Sequence, residues 1–201
     1  MEKEALNNIR YFLAIGVSTG GPGALQKVIP AIPEDIPAAI LISQHMPKGF
    51  TKTLADRLDK ISKLSVKEGE DNEIIKEGTV YISPGDKNMA VEKSPGGVYR
   101  IKLNSETGKY RYRPSVDYML ESLSNTGHKG IIAVIMTGMG KDGSEGIVKI
   151  KEKNGGYIIA QDEKSCVVFG MPKAAIETGV VDSVAPLADI SSEILKFIYK
   201  W

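Results

Sequence analysis

Sulfur and imidazole chemistry is sparse in this chain: its 201 residues include one cysteine, Cys166, and two histidines, His45 and His128. One thiol cannot close an internal disulfide, which excludes a disulfide-stapled scaffold and fits a reducing compartment. Ser165, Val167, Val168 and Phe169 surround that thiol in sequence and carry no charge to favour a thiolate. Cys166 therefore reads as a small buried hydrophobe and not as a nucleophile. Excess charge of one sign is also missing. Twenty-six Lys and Arg oppose 25 Asp and Glu, for a formal net charge of +1, so no strong field gathers nucleic acid or anionic lipid from a distance. No apolar run approaches the length of a membrane span, and residues 1–10 are charged and polar, without the apolar centre of a secretory signal. The expectation is a cytoplasmic protein with no nucleic-acid partner and no direct membrane insertion.

What is present suits a globular domain. The 42% hydrophobic and 25% charged fractions exclude a disordered chain. With a prior of roughly 100 to 200 residues per domain and no repeat, low-complexity tract or linker, residues 1–201 read as one domain. Short apolar runs recur, each followed by glycine or proline and then by a segment of helical spacing, which is the pattern of βαβ units. Residues 11–17, 38–43, 80–83, 131–137 and 157–160 are too solidly apolar for a one-sided sheet and read as buried parallel strands. Helices are expected at about 23–32, 49–62, 115–125, 144–154, 172–177 and 187–199. Residues 89–92, 98–103 and 110–113, separated by turn-rich segments 94–97 and 105–108, read as an antiparallel meander. The fold class is α/β, doubly wound, with a mostly parallel sheet, helices on both faces and an antiparallel β-meander insertion at the edge.

Open parallel sheets bind ligands beyond the carboxyl ends of their strands, so chemistry is sought in the loops that leave there. The first is Gly16-Val17-Ser18-Thr19-Gly20-Gly21-Pro22-Gly23, whose Gly-x-Ser-x-Gly spacing is that of a nucleophile elbow. Small neighbours let a serine hydroxyl project from a sharp turn while backbone N–H groups face an oxyanion. A glycine-rich turn seating a phosphate is the plain alternative, although Pro22-Gly23 stands where a Walker loop needs Lys and Ser or Thr. The second loop, Ser43-Gln44-His45-Met46-Pro47, puts a histidine on the same edge, where imidazole can serve serine as a base near neutral pH. His128 precedes a strand, falls at the opposite edge and reads as a surface residue. Two histidines at opposite edges and one isolated cysteine make no zinc cluster. The third loop, Gly138-Met139-Gly140-Lys141-Asp142-Gly143-Ser144, offers Asp142 to orient His45. Asp86, in Ser83-Pro84-Gly85-Asp86, is the rival orienter, and either aspartate can instead cap a helix or turn.

That third loop also carries the dinucleotide-binding fingerprint. Gly138, Gly140 and Gly143 form Gly-x-Gly-x-x-Gly between a strand and a helix, and Asp162 follows about 20 residues later. Against this reading, Asp142 lies where a pyrophosphate would rest, and Ser18 and His45 are left without roles. The serine-hydrolase reading employs all three residues.

Residues 15–21, 43–47 and 136–143 resemble, in the same order, the catalytic domain of the bacterial chemotaxis methylesterase CheB. The resemblance extends through Tyr81-Ile82-Ser83-Pro84-Gly85, Arg113-Pro114-Ser115-Val116-Asp117 and Gly170-Met171-Pro172, so it covers about residues 11–188. It implies a protein-glutamate methylesterase that hydrolyses γ-glutamyl methyl esters on the cytoplasmic domain of methyl-accepting chemotaxis receptors, releases methanol and deamidates receptor glutamines. It implies a metal-free enzyme without a cofactor, with Ser18, His45 and Asp142 as catalytic triad and Thr19 and Met139 as oxyanion-side positions. Family members typically carry an N-terminal receiver domain as regulatory partner; here the first expected strand begins near residue 11, so the expectation is a catalytic domain without it. Lys48, Arg113 and Lys141 are expected either to meet acidic receptor helices or to be ordinary solvated charge.

Overall fold

The computed structural model describes residues 9–106 and 108–200; Thr107 of the expected 105–108 turn and residues 1–8 of the polar amino-terminal stretch lie outside them. Among the described residues, seven parallel strands form the main sheet. Strand β1 (Tyr11–Val17) is central, β2 (Ala38–Gln44), β4 (Thr79–Ile82) and β3 (Ser65–Glu68) lie outward on one side, and β7 (Ile131–Ile135), β8 (Tyr157–Gln161) and β9 (Ser183–Ala185) on the other. Two further strands, β5 (Asn88–Lys93) and β6 (Tyr99–Asn104), pair antiparallel as a separate hairpin. β2 is buried along its whole length, as a strand must be when helices cover both faces of a parallel sheet.

Alternation along β1 sorts the two cores. Leu13, Ile15 and Val17 face helices α1 (Gly21–Val28), α2 (Phe50–Ile61) and α6 (Ile190–Tyr199). Phe12 and Ala14 face α3 (Val116–Asn125), α4 (Ser144–Asn154), α5 (Met171–Glu177) and the hairpin. Each helix contributes an apolar stripe at helical spacing, such as Leu54, Ala55 and Leu58 of α2 or Val116, Met119, Leu120 and Leu123 of α3.

The register aligns the carboxyl ends of the three central strands. Gly16 pairs with Ser43 of β2 and with Ile135 of β7, and Val17 pairs with Gln44. The ladder continues past the strand ends: His45 N–H donates to Val17 O (3.1 Å), Met136 N–H to Gly16 O (2.9 Å) and Ser18 N–H to Thr137 O (3.0 Å). Strand order reverses between β1 and β7, since the chain leaves β1 toward β2 and later returns on the other flank. Such a switch point opens a crevice above the sheet, and the loops bearing Ser18, His45 and Asp142 meet there.

Three differences from the sequence reading have local causes. Residues 110–113 form no strand, with bends at 111–113, because their aromatic side chains are drawn to partners elsewhere. Tyr110 packs edge-on to Tyr118 and donates its hydroxyl to Glu121, and Tyr112 stacks on His45. The hairpin lies over a face of the sheet, with Tyr99 edge-on to Phe12 at 5.0 Å, so it closes a core and does not extend the sheet edge. Strands β3 and β9 escaped the apolar-run criterion because they are short and part polar, Ser-Val-Lys-Glu and Ser-Val-Ala.

Gly16 allows α3 to rest directly on β1. A Cβ added there would stand 2.3 Å from Val116 Cγ1, a distance that forces backbone or helix to move. Gly16→Ala is expected to destabilise the domain by about 1–3 kcal/mol through overpacking, read as a lower urea midpoint at unchanged denaturant slope.

Candidate active site

Asp142 is the anchor of the site. Its side chain is 4% exposed and lies against the amino end of α3. Oδ2 accepts from His45 Nε2 (2.6 Å) and Val116 N–H (2.8 Å), and Oδ1 accepts from Asp117 N–H (2.9 Å) and the Ser115 hydroxyl (3.0 Å). The first amides of a helix have no intrahelical acceptor and carry the positive end of its dipole, so a carboxylate is stabilised there. Burial disfavours its charge, but the bonds from His45 and from the Asp117 and Val116 amides outweigh that and hold the Asp142 carboxyl below its ordinary range. Ser115 serves α3 twice: it is the N-cap, accepting from Tyr118 N–H (3.3 Å), and it bonds Asp142.

His45 is 12% exposed. With Nε2 engaged by Asp142, the tautomer favoured by this bond leaves Nδ1 as the basic nitrogen. Tyr112 stacks on the imidazole at 4.4 Å between centroids and 21° between planes, and the Arg111 guanidinium lies 5.5 Å from the Tyr112 ring. Tyr112 thereby covers one face of the ring from water.

Ser18 begins the turn into α1 and is half-buried. Its carbonyl accepts from Gly21 N–H (2.8 Å) and from Gln44 Nε2 (3.0 Å), and the same amide nitrogen donates to His45 O (3.1 Å). One buried side chain thus ties together the backbones of Ser18 and His45. Thr137 performs the analogous task on the other side: its hydroxyl donates to Thr19 O (2.9 Å) and accepts from Val167 N–H and Val168 N–H. Gly138 sits where a Cβ would come within 2.8 Å of Ser18 Cβ and 2.4 Å of the Met171 sulfur, so the loop after β7 presses against the serine. Among the described residues no hydrogen bond joins the Ser18 hydroxyl to the imidazole; bonds of this type tighten when a substrate is bound. Thr19 and Met139 flank the serine on these two loops, with Met139 72% exposed. Among the described residues, neither residue's N–H donates to a protein acceptor.

The other residues singled out in sequence fall elsewhere. Asp86 is exposed and faces Lys48 at 3.5 Å, away from His45. Asp162 caps its own turn, accepting from Ser165 N–H. His128 lies at the opposite edge but is half-buried and not a surface group: it is wedged against Phe12 and Tyr99, hydrogen-bonded to the Tyr99 hydroxyl and Arg10 O, and burial lowers its affinity for a proton. Cys166 is half-buried, and burial with the nearby Asp162 charge pushes its thiol up to about 11, far from a thiolate. Arg113 donates to Ser105 O and Lys141 is exposed beside Asp142. Gln44, Tyr112, Ser115, Asp117 and Thr137 were not singled out individually, although Gln44 was signalled by being polar inside an apolar strand.

The dinucleotide reading fails on the same geometry. At the amino end of α4 the Gly146 amide donates to the Asp117 carboxylate (2.7 Å), so the chain's own carboxylate occupies the place of a pyrophosphate. Gly140 and Gly143 adopt left-handed φ of 91° and 102° that turn Asp142 inward. Among the described residues no group of three or more His, Cys, Asp or Glu side chains converges as a metal site, and no helix is long and apolar enough to cross a membrane.

A family model described as CheB methylesterase matches residues 13–194. A protein-glutamate methylesterase/protein-glutamine glutaminase of Pyrococcus horikoshii is 48% identical over 189 residues, which cover 94% of this chain and 51% of that protein. Its Archaeoglobus fulgidus counterpart is 47% identical over 184 residues, 92% of this chain and 52% of that one. The chain spans about half the length of these curated relatives. The crystal structure of the Thermotoga maritima CheB methylesterase catalytic domain superposes with a TM-score of 0.89 at 45% identity, covering 94% of this chain and 98% of that one. Its parallel sheet, with the His45–Asp142 pair at the switch point, and the match over residues 13–194 place the chain in the CheB methylesterase family.

Proposed function

We propose that this chain is a serine hydrolase, a protein-glutamate methylesterase that demethylates glutamate γ-methyl esters on chemoreceptors in chemotaxis adaptation and also deamidates receptor glutamines. The observation that carries the reading is the 2.6 Å His45–Asp142 bond held by the amino end of α3, with Ser18 on the neighbouring strand end. The names of the relatives supply the ester.

In this reading the Ser18 hydroxyl attacks the γ-ester carbonyl while His45 Nδ1 takes its proton. Asp142 stays ionised, fixes the imidazole and stabilises the imidazolium. The Thr19 and Met139 amides donate to the tetrahedral oxyanion. Collapse expels methoxide, which His45 protonates to methanol, leaving a glutamyl ester on Ser18. A water deprotonated by His45 then attacks that ester, the Ser18 oxygen leaves with the proton returned from His45, and the receptor's glutamate γ-carboxylate is freed; ammonia replaces methanol when the substrate is glutamine. Tyr112, stacked on the ring, limits water around the imidazolium.

On this reading residues 1–201 act as a single catalytic domain in the cytoplasm, with the cytoplasmic domain of a methyl-accepting receptor as substrate and a phosphoacceptor receiver domain as regulatory partner. Lys48 and Lys141, both exposed at the rim, are proposed to attract acidic receptor helices.

Methanol release from methylated receptor tests the activity. Ser18→Ala is expected to reduce it on the order of 10⁴-fold or more, and normal release by that variant would remove Ser18 from the mechanism. Asp142→Asn should cost a comparable factor, because an amide presents a donor where an acceptor is needed. Combined reversal of Lys48 and Lys141 to Glu is expected to lower kcat/KM about tenfold at low salt and flatten its salt dependence; unchanged rates would exclude steering.

A further inference from the structure

The two aspartates at the head of α3 and α4 are crossed. Asp142, in the loop leading into α4, accepts from the Val116 and Asp117 amides that open α3. Asp117, in the first turn of α3, accepts from the Gly146 amide in the first turn of α4. Each helix therefore presents its positive end to a carboxylate from the other, and neither carboxylate can shift without leaving opening amides of the other's helix unpaired. A Cβ at Gly146 would come 2.5 Å from Leu120 Cβ, which is how closely the two helix heads must approach for the exchange. The three protein donors to Asp142 besides His45 all belong to residues 115–117.

Resting on the hydrolase reading, we propose that Asp117 is a positioning residue of the triad, gripping the loop that carries Asp142 and coupling its own charge to the Asp142–His45 pair. Its surroundings support the second role as well as the first. Burial, with the charge of Asp142 adding to it, pushes the Asp117 carboxyl up to about 6 despite the amide bonds that favour ionisation. A cavity of about 250 Å³ gives protons a route to it from solvent. Lys109, Tyr110 and Arg111 from the segment before α3, and Lys141 and Glu145 at the start of α4, line the same cavity. On α3 itself, Glu121 is held by Lys109 and Lys149 and kept low. Asp142, with His45 behind it, is the charged neighbour that faces Asp117 most directly.

An ionised Asp117 adds negative charge behind Asp142 and favours the imidazolium, so His45 and Asp117 lose their protons as linked steps. Asp117→Asn keeps a carbonyl to accept from Gly146 and removes the charge. It is expected to move the half-plateau of the acid limb, read as the rate at which a fluorophosphonate labels Ser18 against pH, down by about half a pH unit or more, and to make that limb steeper, closer to a simple one-proton curve, because the wild-type coupling spreads the two linked steps over a wider pH range. Asp117→Ala, which also loses the acceptor, should add a loss of labelling rate at the plateau.

A purely structural cap would give Asp117→Asn a profile that superimposes on the wild type and Asp117→Ala a loss of thermal stability alone; that pattern overturns the proposal. Two measurements need no reaction. In wild-type protein the ¹³C signal of the Asp117 carboxyl should titrate near 6, and a midpoint near 4 overturns the coupling even if the variants fail to fold. The downfield ¹H signal of the His45 Nε2 proton should change with pH differently in Asp117→Asn than in wild type. If wild-type Ser18 takes no label, the hydrolase reading falls while these NMR signals still decide the role of Asp117.

Discussion

A single carboxylate, that of Asp142, organises the functional end of this molecule. It is buried, and its charge is tolerable there only because the head of α3 supplies two amides and a hydroxyl and His45 supplies a fourth donor. The dependence runs in both directions. Without Asp142 the amides that open α3 would be left unpaired in a buried crevice, and without α3 in that position the carboxylate would lose the donors that offset its burial. The orientation of His45 is a by-product of this arrangement, since the imidazole takes the one acceptor direction that the helix leaves.

The rest of the fold makes that meeting possible. Parallel register brings the ends of β1, β2 and β7 level, and α3 reaches β1 because Gly16 has no side chain to hold it off. Two uncharged polar residues then stiffen the crevice, Gln44 between the serine and histidine turns and Thr137 between the serine turn and the loop before α5. The Ser18 loop is therefore braced from both flanks at the strand ends, which suits the proposed reaction, since reacting groups must be held within fractions of an ångström.

How much of this could be read from residues alone depended on whether the determinant was local. The strand Tyr11–Val17 and the helix Ser144–Asn154 were legible to the residue, the first as an apolar run leading into a glycine-rich loop and the second as a segment of helical spacing followed by glycine. Ser18, His45 and Asp142 were legible as chemical residues at one sheet edge, because edge placement follows from strand direction. The pattern leaned to Asp142 over Asp86 without deciding between them, since the choice turns on which loop faces the head of α3, and α3 lies between them in sequence. Residues 110–113 misled for a related reason: their alternation is that of a strand, but Tyr110 and Tyr112 answer to Glu121 and His45 instead of a neighbouring backbone. The role of Asp117 was invisible because an aspartate in a first helical turn ordinarily serves its own helix, whereas this one serves another.

The dinucleotide fingerprint in the loop after β7 shows what such a motif does and does not specify. Gly-x-Gly-x-x-Gly between strand and helix provides a tight turn and a helix head with unpaired amides, and those amides favour an anion. Nothing in the spacing states whether the anion comes from outside. In this chain both helix heads at the crevice are supplied from within, α3 by Asp142 and α4 by Asp117. The electrostatic attraction that would bind a pyrophosphate at the head of α4 holds Asp117 instead, while the head of α3 holds Asp142 beside an oriented imidazole. An internal aspartate within such a loop is therefore the discriminating residue: if it turns outward it repels a phosphate, and if it turns inward, as Asp142 does, it can fix a neighbouring base.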